Sequence, residues 1–146
     1  MTRKLVLLAA IALATVGIAK AQGINVIETR QAGQDAMSGA YADVRTVVAD
    51  KGDVKTLEAP AKAMARWMRQ YATLFPAGSD QGTPPTKALP AVWSDMAGFK
   101  KDADTMAEAA DKLALLAKAG DADGVAAQVK VVGDACAACH KTYRAR

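Results

Sequence analysis

Both cysteines and the single histidine of this 146-residue chain fall within five residues, Cys136-Ala-Ala-Cys139-His140. Three chemistries use two thiols at this spacing beside an imidazole. A structural zinc site requires four protein ligands, and the chain offers three. A dithiol redox pair of the thioredoxin kind accompanies a βαβ pattern, whereas the apolar spacing of this chain is helical. The third chemistry is covalent haem attachment, in which the thiols form thioethers to the vinyl groups and the histidine is an axial iron ligand. The motif therefore predicts one haem c, attached through Cys136 and Cys139, with His140 as the proximal ligand.

On a helix these residues lie at i, i+3 and i+4 and share one face. The elements that must present that face follow from hydrophobic periodicity. Ile27, Met37, Tyr41, Val44 and Val48 define a first helix over about 25–50, stopped by Lys51-Gly52. Leu57, Ala61, Met64, Met68, Tyr71 and Phe75 define a second, which ends before Pro76. A third carries Val92, Met96, Phe99, Ala103, Met106, Ala110 and Leu113 and ends at Gly120. The fourth, with Val125, Val129, Val132, Cys136, Cys139 and Tyr143, opens at Asp121 or Asp123, either of which can cap it. A Gly- and Pro-rich loop spans 76–90, and the other joints are short. Short joints make sequential helices antiparallel neighbours, so the predicted fold is an all-α antiparallel four-helix bundle.

The apolar seam of the first helix is broken by Arg30 and Gln34. Taken alone, this helix favours a simple explanation: a frayed start from which Arg30 reaches water along its aliphatic stem. A haem inside the bundle supplies another, because the Arg30 fork suits a propionate carboxylate. The mature chain holds Met37, Met64, Met68, Met96 and Met106. Seam methionines are usually packing, but Met37 follows Arg30 and Gln34 on one face. With six residues after His140, a sixth iron ligand is expected either upstream of the motif or not at all.

Residues 1–21 begin with Arg3 and Lys4, continue through an apolar run and end in Ala-Lys-Ala, the pattern of a cleavable export signal. The apolar run is shorter than a membrane-spanning helix needs. The predicted mature domain is 22–146. Cleavage reduces the formal charge from +4 to +1, leaving 16 basic against 15 acidic residues. No basic stripe with interleaved aromatics points to nucleic acid, and no membrane partner is expected after cleavage. Lys141, Arg144 and Arg146 read most simply as a solvated tail; the alternative is a patch that steers an acidic redox partner protein.

The helices, Arg30-Gln31, Pro90-Ala-Val-Trp93 and the C-terminal CxxCH followed by Lys-Thr-Tyr-Arg together resemble the cytochrome c-prime superfamily of periplasmic haem proteins, over essentially the whole mature chain. The resemblance implies a left-handed bundle, often dimeric through its first two helices, with His140 proximal to iron. It implies that Arg30, with Gln31 beside it, sits near the propionates and that Gln34 faces the distal side. Members with a distal methionine are six-coordinate electron carriers, and members with an apolar residue there bind nitric oxide or carbon monoxide. Gln34 matches neither pattern. Two ligation states stay open: Met37 on the iron after a one-turn shift of the helix, or Gln34 over a vacant position. One-electron transfer is the first expected function and diatomic gas binding the second. An enzyme is not expected, since a peroxidase wants a distal acid or base such as histidine and the only one is already used.

Overall fold

The computed structural model describes residues 24–146; the predicted export signal lies outside the described residues. Four long helices, α1 (Val26–Ala49), α2 (Glu58–Tyr71), α3 (Met96–Ala119) and α4 (Ala122–Tyr143), form an all-α antiparallel bundle. The starts of α1, α3 and α4 are set by side-chain caps, which satisfy N–H groups that have no partner within the helix, while α2 continues directly from a preceding 3₁₀ turn. Asn25 Oδ1 accepts from the Ile27 and Glu28 N–H groups at 3.1 and 3.2 Å. Asp95 accepts from Gly98 at 3.0 Å and Asp121 from Gly124 at 2.9 Å. Of the two predicted caps for α4, the structure selects Asp121. Gly120 ends α3 in the left-handed region at φ 73°, a conformation that favours glycine.

The third helix differs from the sequence expectation, which carried it back to Val92. Ala91–Ser94 is a separate turn, and the chain breaks at Asp95 (φ −132°, ψ 56°) before α3 begins. Both pieces face the same apolar cluster, so the spacing of Val92, Met96 and Phe99 runs across the break without revealing it. The second helix is flanked by 3₁₀ turns at Val54–Leu57 and Ala72–Leu74.

The core is narrow at one end and wide at the other. Ala103, Ala107, Ala110, Ala114 and Ala117 form a buried stripe on α3, and such small side chains let neighbouring helices approach closely. At the other end Phe75, Val92, Phe99, Cys139 and Tyr143 form their own cluster. Its rings meet edge to face, Phe75–Phe99 at 4.8 Å and Phe99–Tyr143 at 5.2 Å, an arrangement that satisfies the ring quadrupoles.

The 76–90 loop closes this wide end and is tied to both chain ends of the bundle. Asn25 Nδ2 donates to Thr83 O at 2.8 Å and Gln31 Nε2 to Pro85 O at 2.8 Å. The tail pairs with it through Leu89 N to Tyr143 O at 2.9 Å and Ala145 N to Lys87 O at 2.8 Å.

Tyr143 itself is anchored by a 2.8 Å hydrogen bond from its hydroxyl to Asp95 Oδ2. That bond, with the Gly98 N–H, holds the Asp95 carboxyl below its ordinary range. A depressed carboxyl contributes stability above the unfolded value near 3.9, which is lost as pH falls through the folded value. Tyr143→Phe is therefore expected to be less stable than wild type at neutral pH, with the difference shrinking below about pH 4; thermal unfolding across that range checks it.

Candidate cofactor site

Between the two packed ends lies a cavity of about 600 Å³, within the range of roughly 300–1,000 Å³ common for cofactor sites. One wall is α4, presenting Cys136, Cys139 and His140; the opposite wall is α1 and α2, with Arg30, Gln34 and Met37 from the first and Met64, Met68 and Tyr71 from the second. Pro85–Ala88 of the loop border the mouth. Every site residue predicted from the sequence, Gln31 included, lines this one space.

The face of α4 arises as the helical spacing requires. Cys139 is buried within the aromatic cluster and Cys136 packs against the main core, so the two thiols straddle the junction between them. Cys136 Sγ lies 3.8 Å from Met106 Sδ. Burial pushes both thiols above their usual range, Cys139 to about 11, with Asp102 and Cys136 adding to the latter shift. Burial first, then Arg144, lowers His140, which favours the neutral imidazole that can ligate a metal.

Arg30 corrects the frayed-end explanation. It is 2% exposed, far from a side chain reaching to water. Nη1 donates to Leu74 O at 3.2 Å and Ser79 Oγ at 3.0 Å; Nη2 donates to Ser79 O at 2.7 Å and Thr86 Oγ1 at 2.8 Å. The guanidinium also lies 4.3 Å from the Phe75 ring centroid, a cation–π contact. All four acceptors are neutral oxygens. The guanidinium borders the cavity as a buried positive charge whose hydrogen-bond partners carry no compensating charge.

The far end of the cavity is closed by Tyr41, whose hydroxyl donates to Val129 O at 3.1 Å. A Cβ at Gly133 would lie 2.4 Å from that hydroxyl, so glycine permits the close approach. This contact sets the register of the antiparallel α1 and α4. Counting antiparallel from the Tyr41–Gly133 contact at about 1.5 Å rise per residue, Gln34 stands level with His140, and Met37 about one turn nearer Tyr41, level with Ala137 between the two cysteines. Trp67 fixes the distance between α1 and α2 here, because its ring lies where a Gly33 Cβ would be, 1.8 Å from Cζ2. Gln34 Nε2 has only a weak acceptor, Met68 Sδ at 4.0 Å.

Sequence reasoning assigned Met64, Met68, Met106 and Tyr71 to packing. All four line the cavity. The i, i+4, i+7 spacing of Met64, Met68 and Tyr71 showed that they share a face, but spacing cannot distinguish a face against a cavity from one against side chains.

Fold and site together define a helical bundle with an internal cavity walled on one side by its last helix. The cytochrome c′ family model matches residues 25–144. Cytochrome c′ of Rubrivivax gelatinosus is 34% identical over 122 residues, covering 82% of this chain and 94% of that protein. Among solved structures, cytochrome c′ from Thermochromatium tepidum superposes with a TM-score of 0.77 at 31% identity, over 83% of this chain and 95% of the other. The nitric oxide complex of a mutant cytochrome c prime from Alcaligenes xylosoxidans gives 0.73 at 28% identity, over 83% and 94%. The chain belongs to the cytochrome c′ family, whose members are c-type haem proteins.

Removal of the Arg30 fork frees four acceptor oxygens at once, three of them in the 76–90 loop and one at Leu74. Arg30→Ala is expected to cost about 1.5–3 kcal/mol, the scale of a hydrogen bond to a charged group, and to raise amide exchange in the 76–90 loop. Arg30→Lys keeps the charge but not the planar fork, so it is expected to restore little of that protection.

Proposed function

We propose that the chain carries one haem c in the periplasm, bound through Cys136 and Cys139 with His140 as proximal ligand, and serves one-electron transfer. The observation that carries this reading is the sharing of one α4 face by both thiols and the imidazole, on the wall of the cavity. The residues present fit the group: two thiols and an imidazole on one side, a mainly apolar lining, and in Arg30 a buried cation lacking a counter-charge. A bound haem supplies a one-electron iron couple.

The chain's own residues hold and tune that group. Arg30 offers its charge to a propionate and favours the ferrous state by proximity. Gln31 and the Thr86 hydroxyl hold the loop over the mouth. Exposed Lys87, Lys141, Arg144 and Arg146 surround the same end of the bundle and suit an acidic redox partner. We assign no enzymatic step.

A second reading, binding of nitric oxide or carbon monoxide, is favoured by Met37 packing into the main core cluster while Gln34, whose amide has only a weak acceptor, lines the cavity. It is in keeping with the nitric oxide complex formed by the similar Alcaligenes protein. On this reading the ferrous holoprotein is high-spin and binds carbon monoxide promptly. Met37→Ala, which truncates a side chain only 9% exposed, should cost about 2–5 kcal/mol of stability without changing the spin state, whereas Gln34→Leu should alter carbon monoxide affinity. A low-spin wild type converted to high-spin by Met37→Ala would instead assign Met37 as sixth ligand. Optical titration of the three proteins decides between them.

A further inference from the structure

Tyr71 brings a hydroxyl to the wall opposite the motif. Its ring is held edge-on by Phe75 at 5.0 Å and 79° and flanked by Phe99 at 5.9 Å and Trp67 at 6.1 Å, so the hydroxyl has a fixed direction. The groups that bear on that hydroxyl through hydrogen bonding or charge are Gln34, Arg30, Cys139 and Arg144. All four line the cavity, two from α1 and two from the α4 side. Tyr71 lines the same cavity from the α2 side. Gln34 is the polar side chain nearest in effect to that hydroxyl, and the Gln34 amide has only a thioether for a hydrogen-bond partner among the described residues. The pair thus brings donors to the cavity wall that the hydrogen bonds within the protein leave largely unused.

We propose that Tyr71 and Gln34 form a two-donor recognition site for a small anionic or strongly polarised ligand bound opposite His140, with Tyr71 as the residue that selects such ligands over apolar ones. The phenol is suited to donate throughout the physiological range, because burial, opposed by Gln34 and Arg30, pushes it up to about 12. Arg30 adds a positive charge on the same side, and no carboxylate is among the groups that bear on the phenol. A ligand carrying negative charge gains from donors already oriented in a low-dielectric space; carbon monoxide, a weak acceptor, gains little.

This inference rests on an iron that is open on the Gln34 side. Its test uses the full holoprotein with fluoride as the anionic probe of the ferric state and carbon monoxide as the apolar probe of the ferrous state. Tyr71→Phe keeps the ring contacts and removes only the hydroxyl. Loss of one donor worth up to about 1.5 kcal/mol corresponds to roughly tenfold weaker binding. Tyr71→Phe should lower fluoride affinity by about that factor and shift the ferric-fluoride charge-transfer band, with carbon monoxide affinity changed less than about twofold. Gln34→Leu should also weaken fluoride. Unchanged fluoride affinity and band position in Tyr71→Phe, in a background where Gln34→Leu weakens fluoride, would overturn the Tyr71 assignment alone. A wild type that binds neither probe would overturn the open-iron reading and this inference with it.

Discussion

A buried guanidinium with only neutral oxygens for hydrogen-bond partners is the constraint around which the site is organised. Arg30 is enclosed because the loop wraps over it, and the loop has a fixed path because Arg30 donates three hydrogen bonds to it and a fourth to Leu74 O just before it. Each holds the other in place. An ionised side chain in such a setting is costly unless it is paired or richly hydrogen-bonded. The four bonds and the Phe75 ring offset that cost in part, and the remaining charge points at the cavity. One arginine therefore joins the start of α1, the roof of the site and the electrostatics of whatever lies beneath it.

The cavity exists because the two ends of the bundle are packed differently. The alanine stripe of α3 draws the helices together at one end, while aromatic rings fill the other. Between them, Gly33 and Gly133 admit Trp67 and Tyr41 against helix backbone. These two contacts fix the α1–α2 separation and the α1–α4 register. The distal wall is consequently rigid: Gln34 adjoins the Trp67 contact in sequence, and Tyr71 is wedged among three other rings.

The motif, the four helices and the polar break in α1 were legible in the sequence because each follows from periodicity or residue chemistry. The surroundings of Arg30 were not, since its partners at 74, 79 and 86 are contributed by the end of the second helical segment and an irregular loop whose path no spacing encodes. For the same reason an arginine with a folded roof looked, from the first helix alone, like one at a frayed end. Tyr71 was visible as a seam residue and invisible as a donor: the pattern reports which face it occupies, while the direction of its hydroxyl depends on Phe75, Phe99 and Trp67 packing around the ring. The break at Asp95 was hidden because the turn before it and the helix after it bury their apolar groups in the same cluster.

The central claim is that the face shared by Cys136, Cys139 and His140 carries a covalently attached haem. The most direct measurement is the mass of the tryptic peptide spanning residues 131–141, taken from protein matured in a periplasm competent for c-type haem attachment and treated with an alkylating agent under denaturing conditions. The account predicts that this peptide retains one haem and takes up no alkylating group, because both sulfurs are thioethers. A haem-free peptide with two alkylated cysteines would contradict it.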